Sequence, residues 1–160
     1  MAIKVGDKVP SVNLKHMAKD GLSDISTEEI FSGKKVVIFA LPGAFTPTCS
    51  AKHLPGFVQQ AEALKGKGVD TIGCVSVNDA FVMDAWGKNQ NVGDKVLMLA
   101  DGNAEFADAL GLAFDGSGFG MGKRAQRFAM VVDDGVVTTL NVEQPGAFEV
   151  SSAEAMLAAV

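Results

Sequence analysis

The sequence is poor in cysteine, in positive charge and in long apolar segments, and each shortage excludes a class of protein. Its 160 residues contain only Cys49 and Cys74, which excludes a disulfide framework and favours free thiols in a reducing compartment, by default the cytoplasm. The formal net charge of -5, without clusters of Lys and Arg, argues against nucleic acid as a partner. No apolar stretch is long enough to span a bilayer, and residues 1–10 lack the apolar core of a signal peptide, so we expect no membrane association.

The remaining composition and the order of apolar segments predict one α/β domain over residues 1–160. A hydrophobic share of 48% beside 21% charged residues is ordinary for a globular protein, and no repeat or low-complexity run divides the chain. Buried strands are predicted at 36–41, 69–77 and 96–100, and helices at 54–66, 79–86 and 103–110. Asp133-Asp134-Gly135 predicts a hairpin between strands at 127–132 and 136–142, before a last helix that Ser151 opens. This order is typical of a thioredoxin-like fold, a mixed β-sheet flanked by helices, in which the glycine-rich segment 115–122 is predicted to be a loop.

The segment around Cys49 is the candidate for chemistry. A buried strand ends near Pro42, and a helix is predicted to begin with Thr46 as its N-cap, Pro47 in the first helical position and Pro55 causing an early kink. Cys49 then lies in the first turn, where free backbone N–H groups and the helix dipole favour a thiolate. From the residues alone, two interpretations stay open: a reactive thiol, or a small apolar residue in a capped helix.

The same segment resembles the active-site segment of a known family. Pro-Gly-Ala-Phe-Thr-Pro-Thr-Cys-Ser at 42–50 and His-Leu-Pro-Gly-Phe at 53–57 are similar to those of peroxiredoxins of the peroxiredoxin-five, or type II, subfamily. The similarity extends along nearly the whole chain, including residues 76–81 and 127–132. The resemblance implies a peroxidase that reduces hydrogen peroxide and alkyl hydroperoxides, with Cys49 as the peroxidatic cysteine and Pro42, Thr46 and Arg127 as the other positions of the active-site signature.

Those roles suit the chemistry of thiolate attack on a peroxide. Attack on one oxygen expels the other, so charge develops on the leaving oxygen and requires fixed hydrogen-bond donors. The resemblance implies that Thr46 and Arg127 supply them, that Pro42 shields the sulfur from water, and that Cys49 becomes a sulfenic acid.

The route back to the thiol depends on the second cysteine. Some members of the subfamily carry a resolving cysteine late in the chain, whereas residues 148–152 here offer only serine hydroxyls. Cys74 falls inside a predicted central strand, where a buried apolar role is favoured over a resolving role. We therefore expect a one-cysteine cycle without a prosthetic cofactor or metal. Its reductant is expected to be glutathione with a glutaredoxin, or thioredoxin or another external thiol.

Two further polar residues have alternative interpretations. His53 follows Cys49 by one helical turn, which suggests a Cys–His pair or a metal ligand, but His16 is the only other histidine. We therefore predict a structural His53 whose side chain points along the outer helix surface. Arg124 is assigned either to the glycine-rich loop or to a subunit contact.

The aromatic residues suggest a homodimer, and the lone cysteine limits other functions. Phe119 is expected to line an apolar entrance, and Phe45, Phe81 and Trp86 either pack across a dimer or belong to the core. A dithiol oxidoreductase would need a cysteine where Thr46 stands, and a cysteine hydrolase would need a suitable histidine base. The alternative that stays open is a non-catalytic thioredoxin-like binding module or a redox sensor.

Overall fold

A computed structural model describes residues 2–160, with nine strands and five helices named within that range. The strands are β1 (Asn13–Ala18), β2 (Gly21–Ser26), β3 (Lys35–Ala40), β4 (Thr71–Ser76), β5 (Leu97–Ala100), β6 (Ala113–Asp115), β7 (Lys123–Ala125), β8 (Phe128–Asp133) and β9 (Val136–Val142). The helices are α1 (Thr27–Phe31), α2 (Leu54–Gly66), α3 (Ala80–Asn89), α4 (Glu105–Leu110) and α5 (Ala153–Ala159). A π-helical turn, Cys49–His53, leads directly into α2, and a short 3-10 turn, Ser117–Phe119, follows β6.

The central sheet is mixed and is covered by helices on both faces. Its strand order is β2-β1-β5-β4-β3-β8-β9, with β3 parallel to β4 and antiparallel to β8. Residues 36–40 are buried on both sides, as their continuous apolar, β-branched sequence predicts. Helices α2, α3 and α5 pack on one face, and α1 and α4 contribute to the core on the other. The predicted mixed α/β architecture is therefore confirmed.

Local turn and cap residues behave mostly as predicted. Asp134 and Gly135 adopt φ values of 48° and 81°, which is the positive-φ hairpin turn expected of Asp-Gly. Asp79 caps α3 by accepting a hydrogen bond from the Val82 N–H at 2.8 Å. The prediction that Ser151 opens α5 is wrong by one residue. Ser152 is the cap, accepting from the Ala155 N–H at 3.2 Å, because the Ser151 hydroxyl donates to Glu143 instead.

Four strands and one helix have no counterpart in the sequence predictions. Strands β1 and β2 form an antiparallel edge hairpin, followed by α1. The glycine-rich segment 115–122 is a loop as predicted, apart from Asp115 at the end of β6 and a single 3-10 turn. Strands β6 and β7 pair on either side of it, and the Gly116 N–H donates to the Gly122 carbonyl at 2.6 Å. Strands of three residues are too short to show a periodic pattern. Within residues 2–160, no helix combines the length and apolarity needed to cross a membrane.

Candidate active site

The candidate site lies where the parallel strands β3 and β4 end, an edge at which α/β proteins commonly bind ligands. The chain leaves β3 through residues 41–46, where Phe45 takes a φ of 63°. The loop after β4 holds this turn: Asn78 Oδ1 accepts from the Ala44 N–H at 3.0 Å and from the Ser76 hydroxyl at 2.6 Å. The backbone before Cys49 is thereby tied to the neighbouring strand.

Helical hydrogen bonding begins where the sequence predicts, with an α-helical hydrogen bond that is followed by the π-helical turn Cys49–His53. The Ser50 N–H donates to the Thr46 carbonyl at 2.9 Å, so Thr46 stands at the N-cap position and Pro47 follows it. The Leu54 N–H then donates to the Cys49 carbonyl, five residues back. Pro55 cannot donate a backbone hydrogen bond, and it lies in the first turn of α2, directly after this π turn. The kink expected at Pro55 stays a prediction.

His53 is fully buried, so the predicted outward direction of its side chain is wrong. A residue four positions along a helix returns to nearly the same face, and the face that carries Cys49 is here the buried one. The imidazole packs against the rings of Phe39 and Phe148, with a centroid distance of 5.0 Å in each case.

Arg127 connects Cys49 with His53. Its Nη2 atom donates to the Cys49 sulfur at 3.1 Å, and its Nη1 atom donates to His53 Nδ1 at 2.8 Å. The guanidinium also lies over the Phe148 ring, with Cζ 5.8 Å from the ring centroid. Arg127 directly precedes β8 instead of opening it, and Cys49 is fully buried. The structure therefore places a permanent cation against the thiol.

The contacts of His53 determine its tautomer and exclude two predicted alternatives. Arg127 can only donate, so Nδ1 is the acceptor and Nε2 carries the hydrogen, which points to the Ser151 carbonyl at 2.9 Å. Desolvation by burial, followed by the charge of Arg127, lowers the pKa of His53 to about 3. A neutral imidazole with both nitrogens engaged has no lone pair left for the Cys49 proton or for a metal ion.

Thr46 and Pro42 lie in the turn before Cys49, where both take part in hydrogen bonds. The Thr46 hydroxyl donates to the Gly43 carbonyl at 2.7 Å, so its oxygen presents lone pairs and acts as an acceptor toward a ligand. This differs from the expected donor role. The Pro42 carbonyl accepts from Arg124 Nη1 at 3.1 Å, and Arg124 Nε donates to the Met121 carbonyl at 3.0 Å. Arg124 thus ties the glycine-rich loop to the active-site turn, the first of its two predicted roles.

A cleft of about 730 Å³ opens beside these residues. Arg127, Pro42 and Thr48 line part of it. The other lining residues are mostly apolar: Phe114, Phe119, Met121, Pro145 and Ala147. Gln126, Glu143, Gln144 and Gly146 complete the wall. The position of Phe119 agrees with the predicted apolar entrance.

Cys74 lies on β4, where it pairs with Phe39 on β3 and with Met98 on β5. Its side chain is fully buried, and both cysteines are free thiols. Desolvation by burial and the nearby Cys49 raise the pKa of Cys74 well above its ordinary value. The thiol is therefore protonated and fixed in the sheet, as the buried apolar interpretation predicts.

One part of the site has no counterpart in the sequence predictions. Glu143 accepts four hydrogen bonds from residues 149–151, and the carbonyl of Ser151 holds His53. Trp86 is a core residue, which is one of the two roles predicted for it, and its indole N–H donates to the Ser50 hydroxyl at 3.0 Å. The only sequence signal for Glu143 is an acidic residue directly after a strand, which is too common to select it.

The chain is similar to known proteins in sequence and in fold. Residues 4–157 match the model of the Redoxin family. The chain is 53% identical over 163 residues to peroxiredoxin-2E-2, chloroplastic, from Oryza sativa subsp. japonica, covering 99% of this chain and 72% of the relative.

Two solved structures extend the comparison to the whole fold. Reduced Prx3 in complex with H2O2 from Vibrio vulnificus is 57% identical, with a TM-score of 0.95 and coverage of 98% of each chain. Peroxiredoxin 5 from Alvinella pompejana is 34% identical, with a TM-score of 0.86 and coverage of 98% of this chain and 96% of that one.

Proposed function

The chain belongs to the peroxiredoxin family of thiol peroxidases, and we propose that Cys49 reduces hydroperoxides in a one-cysteine cycle completed by an external thiol. Members of the family act on hydroperoxides and need no prosthetic cofactor, because the cysteine itself is oxidised. The observation that carries the proposal is the 3.1 Å contact between Arg127 Nη2 and the Cys49 sulfur. The predicted thioredoxin-like fold is that of the family.

The first half of the cycle is a displacement at oxygen. The Cys49 thiolate attacks one peroxide oxygen, an S–O bond forms, the O–O bond breaks, and the leaving oxygen takes a proton to become water or an alcohol. Arg127 stabilises the thiolate and the charge on the reacting oxygens. The Thr46 oxygen, whose own hydrogen is held by the Gly43 carbonyl, accepts a hydrogen bond from the peroxide, and Pro42 shields the sulfur.

We propose hydrogen peroxide and alkyl hydroperoxides as the substrates. Hydrogen peroxide is supported by the related Prx3 of Vibrio vulnificus, which was solved with H2O2. Alkyl hydroperoxides are supported by the apolar wall of the cleft beside Arg127, which suits a hydrocarbon chain.

The second half of the cycle needs an external thiol, because the chain offers no suitable resolving cysteine. Cys74 is buried in the middle of the sheet and protonated, and the Ser151 hydroxyl is held by Glu143. The sulfenic acid on Cys49 therefore condenses with glutathione, forming a mixed disulfide and releasing water. A glutaredoxin, or thioredoxin acting directly, then returns Cys49 to the thiol.

The subfamily, the assembly and the compartment are also proposals. The active-site segment and the likeness to peroxiredoxin 5 of Alvinella pompejana support the peroxiredoxin-five, or type II, subfamily. A homodimer is supported by large exposed aromatic side chains, Phe45, Phe81 and Phe119, of which Phe119 lies on the cleft. Free thiols support the reducing cytoplasm, although the rice relative is chloroplastic by name, so cell fractionation should test both compartments.

Mass spectrometry after one equivalent of hydrogen peroxide, with and without glutathione, tests the cycle. We expect a glutathione adduct on Cys49 and full turnover of Cys74→Ser with glutathione and glutaredoxin. Cys49→Ser is the control and should consume no peroxide. A Cys49–Cys74 disulfide, together with loss of turnover in Cys74→Ser, would contradict the one-cysteine cycle and leave the peroxidase assignment intact.

A further inference from the structure

We infer that Glu143 is a positioning residue for peroxide reduction, acting through Ser151 and His53 to hold the Arg127 guanidinium against Cys49. The inference rests on the proposed role of Cys49 as the attacking thiolate. Among the described residues, the Glu143 side chain forms no hydrogen bond with the Cys49 sulfur or with Arg127. Its effect on the reaction would therefore be indirect.

The Glu143 carboxylate organises the backbone of the segment before α5. A single oxygen, Oε2, accepts from the N–H groups of Glu149, Val150 and Ser151 at 2.8, 2.9 and 2.8 Å. The Ser151 hydroxyl donates to the same oxygen at 2.7 Å. The Glu143 side chain is nearly buried, with 7% relative exposure, so water is a poor substitute for these four bonds.

The carboxylate is charged although it lies largely out of solvent. Desolvation by burial raises the pKa of Glu143, but the hydrogen bonds from the Ser151 hydroxyl and from the three backbone N–H groups outweigh it, so the pKa lies below its ordinary value. Hydrogen bonds to a charged acceptor are roughly twice as strong as those between neutral groups. The segment is therefore held firmly at neutral pH.

Three further hydrogen bonds in series connect the held segment with Cys49. The Ser151 carbonyl accepts from His53 Nε2 at 2.9 Å, which keeps the hydrogen on that nitrogen. His53 Nδ1 consequently offers a lone pair to Arg127 Nη1 at 2.8 Å, while Arg127 Nη2 donates to the sulfur at 3.1 Å. If the Ser151 carbonyl moved away, His53 could carry its hydrogen on Nδ1, where it would oppose the guanidinium.

The same segment contributes a second contact to the guanidinium. Phe148 lies between Glu143 and Ser151 in the chain, and its ring contacts both His53 and Arg127. The backbone of Glu143 also meets Arg127 directly, because the Glu143 N–H donates to the Arg127 carbonyl at 2.9 Å. One carboxylate therefore holds Ser151, whose carbonyl bonds to His53, and Glu149, the residue that directly follows Phe148.

Simple electrostatics and positioning predict opposite results for Glu143→Gln. Removing one negative charge near the site should by itself favour the Cys49 thiolate and speed its oxidation. Loosening the segment should instead release Arg127, lower the thiolate fraction and slow the reaction. The sign of the change therefore distinguishes the two effects.

The experiment measures thiolate absorbance at neutral pH and the stopped-flow rate of Cys49 oxidation by hydrogen peroxide. Because Cys74 is buried and protonated, the absorbance reports on Cys49. For Glu143→Gln we expect a lower thiolate fraction and a rate reduced about tenfold. Glu62→Gln, which removes an equal charge from the exposed face of α2, is the matched control and should match the wild type.

A double-mutant cycle with Arg127→Lys tests the route of the effect. If Glu143 acts through Arg127, Glu143→Gln should slow oxidation far less in the Arg127→Lys background than in the wild type. An unchanged or faster rate for Glu143→Gln, or additive losses in the double variant, would overturn the inference. If Glu143→Gln does not fold, Glu143→Asp, which keeps the charge but shortens the reach, is put through the same cycle with the same criterion.

These outcomes are separate from failure of the proposed function. If Cys49→Ser reduced peroxide as well as the wild type, Cys49 would not be the attacking residue. The inference about Glu143 is instead decided by ratios between variants that retain Cys49.

Discussion

His53 makes the free energy of unfolding depend on pH, because its surroundings in the folded protein lower its pKa. Burial and the charge of Arg127 lower its pKa to about 3 from an ordinary value of 6.5. Between these values the unfolded chain binds a proton at His53 and the folded chain does not. Above pH 6.5, His53 is neutral in both states and has no effect; below it, the free energy of unfolding falls with the pH.

The expected loss is a substantial fraction of the free energy of unfolding of an ordinary domain. One proton bound only by the unfolded chain costs about 1.4 kcal/mol for each pH unit. Two pH units below the ordinary pKa of His53, the loss is therefore about 2.7 kcal/mol. Typical domains have a free energy of unfolding of about 5–15 kcal/mol.

Urea unfolding followed by Trp86 fluorescence measures this loss. We compare the wild type with His53→Gln, whose amide retains one acceptor and one donor but cannot titrate, at about pH 7.5, 5.5 and 4.5. Titration of the carboxylates changes the free energy of unfolding of both proteins equally, so it cancels when the two are subtracted. His16→Gln, which lies outside the hydrogen-bond network of the site, should retain the wild-type dependence. If His53→Gln and the wild type lose equal free energy of unfolding on acidification, His53 does not take up a proton on unfolding in this pH range.

Two further expectations concern the rate of Cys49 oxidation. Arg127→Lys should keep the fold but slow peroxide reduction about tenfold or more, because one ammonium cannot contact the sulfur and His53 Nδ1 in the geometry of a planar guanidinium. Stopped-flow oxidation measures this rate, and a rate equal to that of the wild type would remove Arg127 from the mechanism. Thr46→Val should slow the same step about tenfold, because it removes the peroxide acceptor and leaves the Gly43 carbonyl without its 2.7 Å partner. Circular dichroism checks folding, and unchanged kinetics with the fold intact would contradict the role of Thr46.

Several features of the molecule could be predicted from neighbouring residues alone. The segment that forms β3 is apolar and β-branched, and it is buried, as such segments are in parallel α/β sheets. Asp79 and the Asp134-Gly135 turn act through contacts within three residues or through their own backbone preference. The position of Cys49 in a first helical turn follows from Thr46 and Pro47 in the same way.

Other features depend on contacts between residues that are far apart in the sequence. The contacts of Arg127 with Cys49 and of His53 with Ser151 join residues 78 and 98 positions apart, so no local pattern indicates them. The inward direction of His53 and the anchoring role of Glu143 exist only once β8, β9 and the first turn of the Cys49 helix are packed together. Local sequence determined where the thiol stands in its helix, and tertiary packing decided which charged and polar groups surround it, because hydrogen bonds between distant segments form only when the sheet brings them within reach.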